Sequence, residues 1–205
     1  MLKKILAGGF VLVAAASAAA DDFELLAKRC APNVAIDTLR ALVKTESDFN
    51  PYAIGVVGGQ VAQPKAFHEA MSTIANLELS GANYSVGLAQ INKKNFAKYG
   101  LDAAKALDAC SNLTAASQIL GACYAKAQKE GSRGQDALHD ALSCYYSGNF
   151  KTGYDHGYVN KVRNSAGLQA QVPSITAPEQ KNLPEENTSR PLISSSLQQT
   201  RGLIF

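Results

Sequence analysis

Val34-Ala35-Ile36-Asp37-Thr38-Leu39-Arg40-Ala41-Leu42-Val43-Lys44-Thr45-Glu46-Ser47-Asp48-Phe49-Asn50-Pro51 sets the architecture. Ile36, Leu39, Leu42 and Val43 recur at the 3.6-residue spacing, which predicts an amphipathic helix over 34–45, closed by turn-forming Asn50 and by Pro51. Leu39, Leu42, Val43 and Glu46 stand at i, i+3, i+4 and i+7, so the carboxylate extends the apolar stripe instead of facing water. It also sits at the C-terminal end of the helix, where the dipole disfavours negative charge. Desolvation and dipole both raise its pKa, as a general acid requires. The alternative is a frayed, exposed helix-end glutamate.

Downstream the same periodicity repeats. After the Gly-rich run Gly55-Val56-Val57-Gly58-Gly59, Pro64 suits the first turn of a helix in which Phe67, Ala70, Met71, Ile74 and Ala75 share a face, stopped by Gly81. Tyr84-Ser85-Val86-Gly87-Leu88-Ala89-Gln90-Ile91-Asn92 reads as a compact segment whose Gln90 and Asn92 offer hydrogen bonds to a ligand. Asn92 suits the cap of a short helix ending at Gly100. Further helices are predicted over 113–129 (Ala116, Ile119, Leu120, Cys123 and Ala127 inward), 135–146 (Leu138, Ala141, Leu142 and Tyr145 inward) and 158–165. An inward Tyr145 needs a partner for its hydroxyl. No strand and no internal repeat stand out, so the fold class is mainly α.

Upstream, Lys3 and Lys4 precede an apolar run over 5–16 and the small residues Ala18-Ala19-Ala20. This is the pattern of a signal peptide, residues 1–20, cleaved before Asp21. The run is shorter than the ~20 residues of a membrane span, and the first cysteine, Cys30, comes too late for a lipid anchor. The chain has 205 residues, 20 Lys+Arg against 17 Asp+Glu, 46% hydrophobic and 18% charged residues. One globular core fits that length. Removal of Lys3 and Lys4 leaves 18 basic against 17 acidic residues, so a simple cationic nucleic-acid binder is excluded.

Export to an oxidising compartment makes disulfides the expected state of Cys30, Cys110, Cys123 and Cys144. Cys123 and Cys144 fall on successive predicted helices, which pairs them if the helices are antiparallel neighbours and leaves Cys30 with Cys110. The other two connectivities, and buried reduced thiols, remain open at this level. No Cys-x-x-Cys pair exists, and His68, His139 and His156 have no ligand spacing and read as surface or incidental. A metal site is therefore not expected. The Gly55 to Gly59 run lacks the Lys-Ser/Thr of a phosphate loop, and no cofactor pattern is present. Residues 167–205 hold Pro173, Pro178, Pro184 and Pro191 among Ser, Gln and Thr, the composition of a disordered tail. Residues 21–166 are thus the folded domain.

Three ordered motifs carry a resemblance: Glu46-Ser47 with Asn50-Pro51-Tyr52-Ala53-Ile54-Gly55, then Gly87-Leu88-Ala89-Gln90-Ile91-Asn92, then Tyr145-Tyr146-Ser147-Gly148. Together they resemble the soluble lytic transglycosylase family, over roughly 30–162. Cys30-Ala31-Pro32, the helical insertion before Gly87 and Ser143-Cys144-Tyr145-Tyr146-Ser147-Gly148-Asn149-Phe150 look like the branch that serves bacterial type IV secretion systems. The resemblance implies a lysozyme-like fold, a periplasmic location, the glycan strands of peptidoglycan as substrate, and secretion-system subunits as partners, with the tail as one route to them. It makes Glu46 the catalytic acid and then the base of a reaction ending in 1,6-anhydromuramic acid. It places Ser47 beside the acid and Gln90 and Asn92 along the sugar cleft, and it lets Tyr145 bond Glu46 or the sugar. Two departures stand out: Ala89 where the family has Met, and Tyr146 where it has Asn. The competing expectations are a lysozyme-type hydrolase, with a second carboxylate among Asp48, Asp102 and Asp108 facing Glu46, and a non-catalytic wall-binding assembly factor.

Overall fold

The computed structural model describes residues 14–167, with side chains from Asp22 onward. Most of the segment expected to be a signal peptide, 1–20, and the expected tail beyond Gly167 lie outside the described residues. Eight helices and a small sheet follow in order: α1 (Ala14–Cys30), α2 (Ile36–Ser47), β1 (Ile54–Val56), α3 (Phe67–Leu79), β2 (Tyr84–Val86), β3 (Ile91–Asn92), α4 (Ala103–Leu107), α5 (Ala109–Lys129), α6 (Gly134–Ser147), α7 (Thr152–Asp155) and α8 (Tyr158–Ser165). Among the described residues no helix is long and apolar enough to cross a membrane.

Helices α1, α2, α5, α6 and α8 enclose the main core. Leu39, Leu42 and Val43 of α2 pack there with Leu113, Ala116 and Leu120 of α5, Leu138, Ala141 and Leu142 of α6, and Val159 and Val162 of α8. The apolar stripe of α2 is therefore a core stripe, and Glu46 extends it by one turn. The helix does not fray at that point. Asp48 takes a left-handed conformation (φ 51°) and its N–H bonds the Lys44 carbonyl, closing the last turn. Asp and Asn tolerate that region better than most side chains. Beyond it, Asn50 accepts from the Tyr52 N–H and donates to the Pro64 carbonyl, which folds the chain back toward the sheet.

The sequence reading contained no strand, and here the structure corrects it. β1, β2 and β3 form an antiparallel sheet in that order, with Ile54 opposite Val86, Gly55 opposite Ser85, and Ser85 opposite Asn92. A second, smaller core lies beneath it, made of Ile54, Tyr84 and Val86 with Ala70 and Ile74 of α3 and Ala106 and Leu107 of α4. Phe96 and Leu101 touch both cores and join them. Helix α3 buries only Ala70 and Ile74, while Phe67 is exposed, a narrower face than its periodicity predicted. Pro64 lies three residues ahead of α3 instead of in its first turn.

Candidate active site

A cleft of about 690 Å3 runs along the seam between the two cores. The register of the sheet builds one side. Alternate residues face opposite ways, so the row Gly55–Ser85–Asn92 lines the cleft while Ile54 and Val86 enter the smaller core. Tyr145, Tyr146 and Ser147 at the end of α6, with Thr152 and His156, line the other side, and Ile119 of α5 also contributes. Glu46, Gln90, Asn92 and Tyr145, four of the residues singled out in the sequence, are brought together on this lining.

Glu46 reaches the cleft from the last turn of α2. Protein packed around its carboxyl raises the pKa from 4.5 to about 7, and a hydrogen bond donated by the Tyr158 hydroxyl to Oε1 pulls the other way. Burial wins, so the side chain is poised between its acid and base forms near neutral pH. Tyr158 is itself buried and its pKa is driven well above 10 by desolvation, with Glu46 adding to the effect. It is therefore a constant neutral donor.

The hairpin turn from Gly87 to Gln90 is clamped from four directions. The Ser47 hydroxyl donates to the Leu88 carbonyl (2.7 Å) and the Tyr145 hydroxyl to the Ala89 carbonyl (2.6 Å). Asn112, fully buried on α5, accepts from the Ala89 N–H (2.8 Å) and donates to the carbonyls of Val86 and Ala106 (2.9 and 2.7 Å). Gln90 Nε2 donates to the carbonyls of Ala53 and Gly87 (3.0 and 3.1 Å). Asn92 donates to the Ser85 hydroxyl (3.2 Å) and accepts from the Lys94 N–H, capping the 3₁₀ turn over Lys93–Asn95.

These bonds revise several expected roles. Ser47 follows Glu46 at the end of α2, lies outside the cleft lining and holds the hairpin turn through the Leu88 carbonyl. Tyr145 gives its hydroxyl to Ala89, and the partner of Glu46 is Tyr158, 112 residues away in sequence. Sequence reasoning placed Tyr158 only as the start of a helix; no local pattern marks a contact of that range. Asn112 was missed for the same reason. His156 lines the cleft, contrary to its reading as incidental, with Nδ1 3.2 Å from the Tyr146 hydroxyl. The cysteines are joined as Cys30–Cys110 and Cys123–Cys144.

The three aspartates considered as a second carboxylate all point elsewhere. Asp48 pairs with Lys44 at the exposed end of α2, while Asp102 caps α4 and Asp108 caps α5. Among the described residues lining the cleft, Glu46 is the only carboxylate. No group of three or more His, Cys, Asp or Glu among the described residues is placed to hold a metal ion.

A single half-buried acid in a groove of this size, carried on an α-helical scaffold with a small sheet, is compatible with a lysozyme-like glycan-cleaving enzyme. Comparison with known proteins agrees and narrows the class. Residues 25–166 match the family described as the transglycosylase SLT domain. A type IV secretion system protein VirB1 of Brucella abortus is 45% identical over 170 residues, covering 80% of this chain and 71% of the relative. The VirB1 protein of Brucella suis is 48% identical over 164 residues (75% and 69%), and that of Rhizobium radiobacter 37% over 171 residues (82% and 70%). No solved structure matches the chain at a significant level. The chain belongs to the transglycosylase SLT family, in its VirB1 branch, and is a peptidoglycan lytic transglycosylase.

Proposed function

We propose that the protein acts in the periplasm on the β-1,4 bond between N-acetylmuramic acid and N-acetylglucosamine, releases 1,6-anhydromuramic acid ends, and so opens the wall locally for a type IV secretion or conjugation apparatus. Residues 1–20 direct export and are removed, 21–166 carry the catalysis, and 167–205 meet other subunits of the apparatus.

Protonated Glu46 gives its proton to the glycosidic oxygen as the C1–O bond breaks, and the N-acetylglucosamine side leaves as an alcohol. Positive charge develops at C1 of the muramyl ring. The carboxylate, held by the Tyr158 hydroxyl, then takes the proton of the muramyl 6-hydroxyl while that oxygen bonds C1. Glu46 ends protonated again, and no water is consumed. Gln90, Asn92 and Tyr145 shape the groove that holds the strand.

The observation that carries this reading is the solitary Glu46. An inverting hydrolase needs a second carboxylate to activate water, and a retaining one needs it as nucleophile. With one carboxylate lining the cleft among the described residues, a nucleophile supplied by the substrate itself and already held near C1 is the economical solution.

Mass spectrometry of purified peptidoglycan digested with the mature protein tests the product. Fragments ending in 1,6-anhydromuramic acid are expected, and fragments one water heavier would overturn the transglycosylase chemistry. The folded Glu46→Gln variant should lose activity by about a thousandfold, within the range of general acid–base catalysis.

A further inference from the structure

Tyr146, in the last turn of α6, sits in a small aromatic cluster at the cleft. Its ring is stacked on that of Tyr158, with centroids 4.6 Å apart and planes 18° from parallel. The His156 ring meets it edge-on at 5.9 Å, and the Tyr146 hydroxyl bonds His156 Nδ1. Tyr146 is nonetheless 46% exposed and lines the cleft. One side of the ring is thus supported by buried Tyr158, the hydroxyl is tethered, and the exposed surface opens into the groove. Tyr158 bonds Glu46, so Tyr146 lies a single ring's thickness from the partner of the acid.

We infer that Tyr146 is a stacking platform for the apolar face of a hexosamine ring next to the scissile bond, with His156 as the positioning residue that holds the platform in place. The inference rests on the glycan-cleaving role of the cleft. Sugar rings present a face of C–H groups, and a flat, supported aromatic ring meets that face with its electron-rich surface at little entropic cost. A polar Asn offers hydrogen bonds but no such face. The aromatic residue would therefore bind a sugar largely through its ring, and it would tolerate variation in the hydroxyl and acyl pattern better than a directional amide.

Binding and turnover separate this role from others. An N-acetylglucosamine hexamer is titrated into the full mature chain carrying Glu46→Gln, alone and combined with Tyr146→Ala, Tyr146→Asn, Tyr146→Phe or His156→Ala. Thermal melting of each variant checks the fold. Removing the ring should weaken binding about tenfold. Tyr146→Phe, which keeps the ring and loses only the tether, should recover most of that loss, and His156→Ala should fall between. On the Glu46 background, Tyr146→Ala should raise KM for isolated wall with kcat largely kept and the same products. Unchanged binding in Tyr146→Ala and Tyr146→Asn would overturn the platform. So would a loss confined to kcat with a moved pH profile, which would mean that Tyr146 acts only through Tyr158 on the acid. A folded Glu46→Gln protein that still cleaves wall would instead sink the catalytic reading, independently of how the Tyr146 variants bind.

Discussion

At Glu46 two opposed effects meet, and their difference sets the protonation of the carboxyl near neutral pH. Burial raises the carboxyl to about 7, and the Tyr158 hydroxyl holds it below where burial alone would leave it. In the mechanism proposed above the first chemical step needs the protonated form, so kcat/KM should fall as pH rises through about 7. Tyr158→Phe removes a hydrogen bond that favours the charged carboxylate. Bonds to charged groups are worth ~1.5–3 kcal/mol and one pH unit is ~1.4 kcal/mol, so the basic limb should move upward by about one pH unit. The pH dependence of kcat/KM on isolated wall for the two proteins measures this. A limb that stays in place or moves to lower pH would show that Tyr158 does not act on the carboxylate. Much of Glu46 was legible beforehand, because the i, i+3, i+4, i+7 stripe from Leu39 is local. Tyr158 was not, since its value lies in a contact made only after the chain has closed on itself. Tyr145 was legible as an inward tyrosine in need of a partner, but not which oxygen it would find.

At the scale of elements, the hairpin joining β2 to β3 governs the geometry of the groove. Gly87 has φ +83°, and a Cβ there would lie 2.2 Å from Asn112 Nδ2 and 2.6 Å from the Ala106 carbonyl oxygen. Gly87→Ala therefore meets both an unfavourable backbone region and the hub that satisfies three backbone groups of the turn and its surroundings. Strain of ~1–3 kcal/mol and loss of at least one buried hydrogen bond at ~1–3 kcal/mol combine to about 3 kcal/mol or more. At roughly 2–4 °C per kcal/mol for a domain of this size, the melting temperature should drop by about 10 °C. Gly58→Ala is the internal comparison. Gly58 also has positive φ (+75°) but nothing lies within 4 Å of its Cβ, so only backbone strain remains. Calorimetry of both variants checks the contrast, and equal losses would remove Asn112 from the explanation. The long helices were readable because their periodicity extends over several turns: 158–165 coincides with α8, and 113–129 lies within α5. The start of α5 was missed because its cap, Asp108, precedes the apolar pattern. The sheet escaped because its strands are two or three residues long, below the length at which alternation can be recognised. The pairing of β1 with β2 also joins distant segments, Gly55 lying opposite Ser85.

Across the whole molecule, two covalent ties hold the helical core from which the cleft is hung. Cys30–Cys110 links the end of α1 to the start of α5 and closes a separation of 80 residues, with the Thr114 hydroxyl bonding the Cys30 carbonyl beside it. Cys123–Cys144 links α5 to α6 across 21 residues. Chain-entropy reasoning makes the longer loop worth more, about 4.5 kcal/mol against about 3.3 kcal/mol. Packing points the same way. Helices α5 and α6 already share Leu120, Ala127, Ala137, Leu138 and Ala141, so they stay together without their bond. Helix α1 contributes Phe23, Ala27 and Cys30 from the edge of the core. None of the four cysteines is itself among the residues lining the cleft. Replacing Cys30 and Cys110 together by Ser should therefore cost more stability in urea titration than replacing Cys123 and Cys144. Both proteins should still cleave wall at low temperature while folded. The reverse order of stabilities would mean that the α5–α6 pair depends on its crosslink more than its packing suggests, and that the core is organised around that crosslink rather than around the docking of α1.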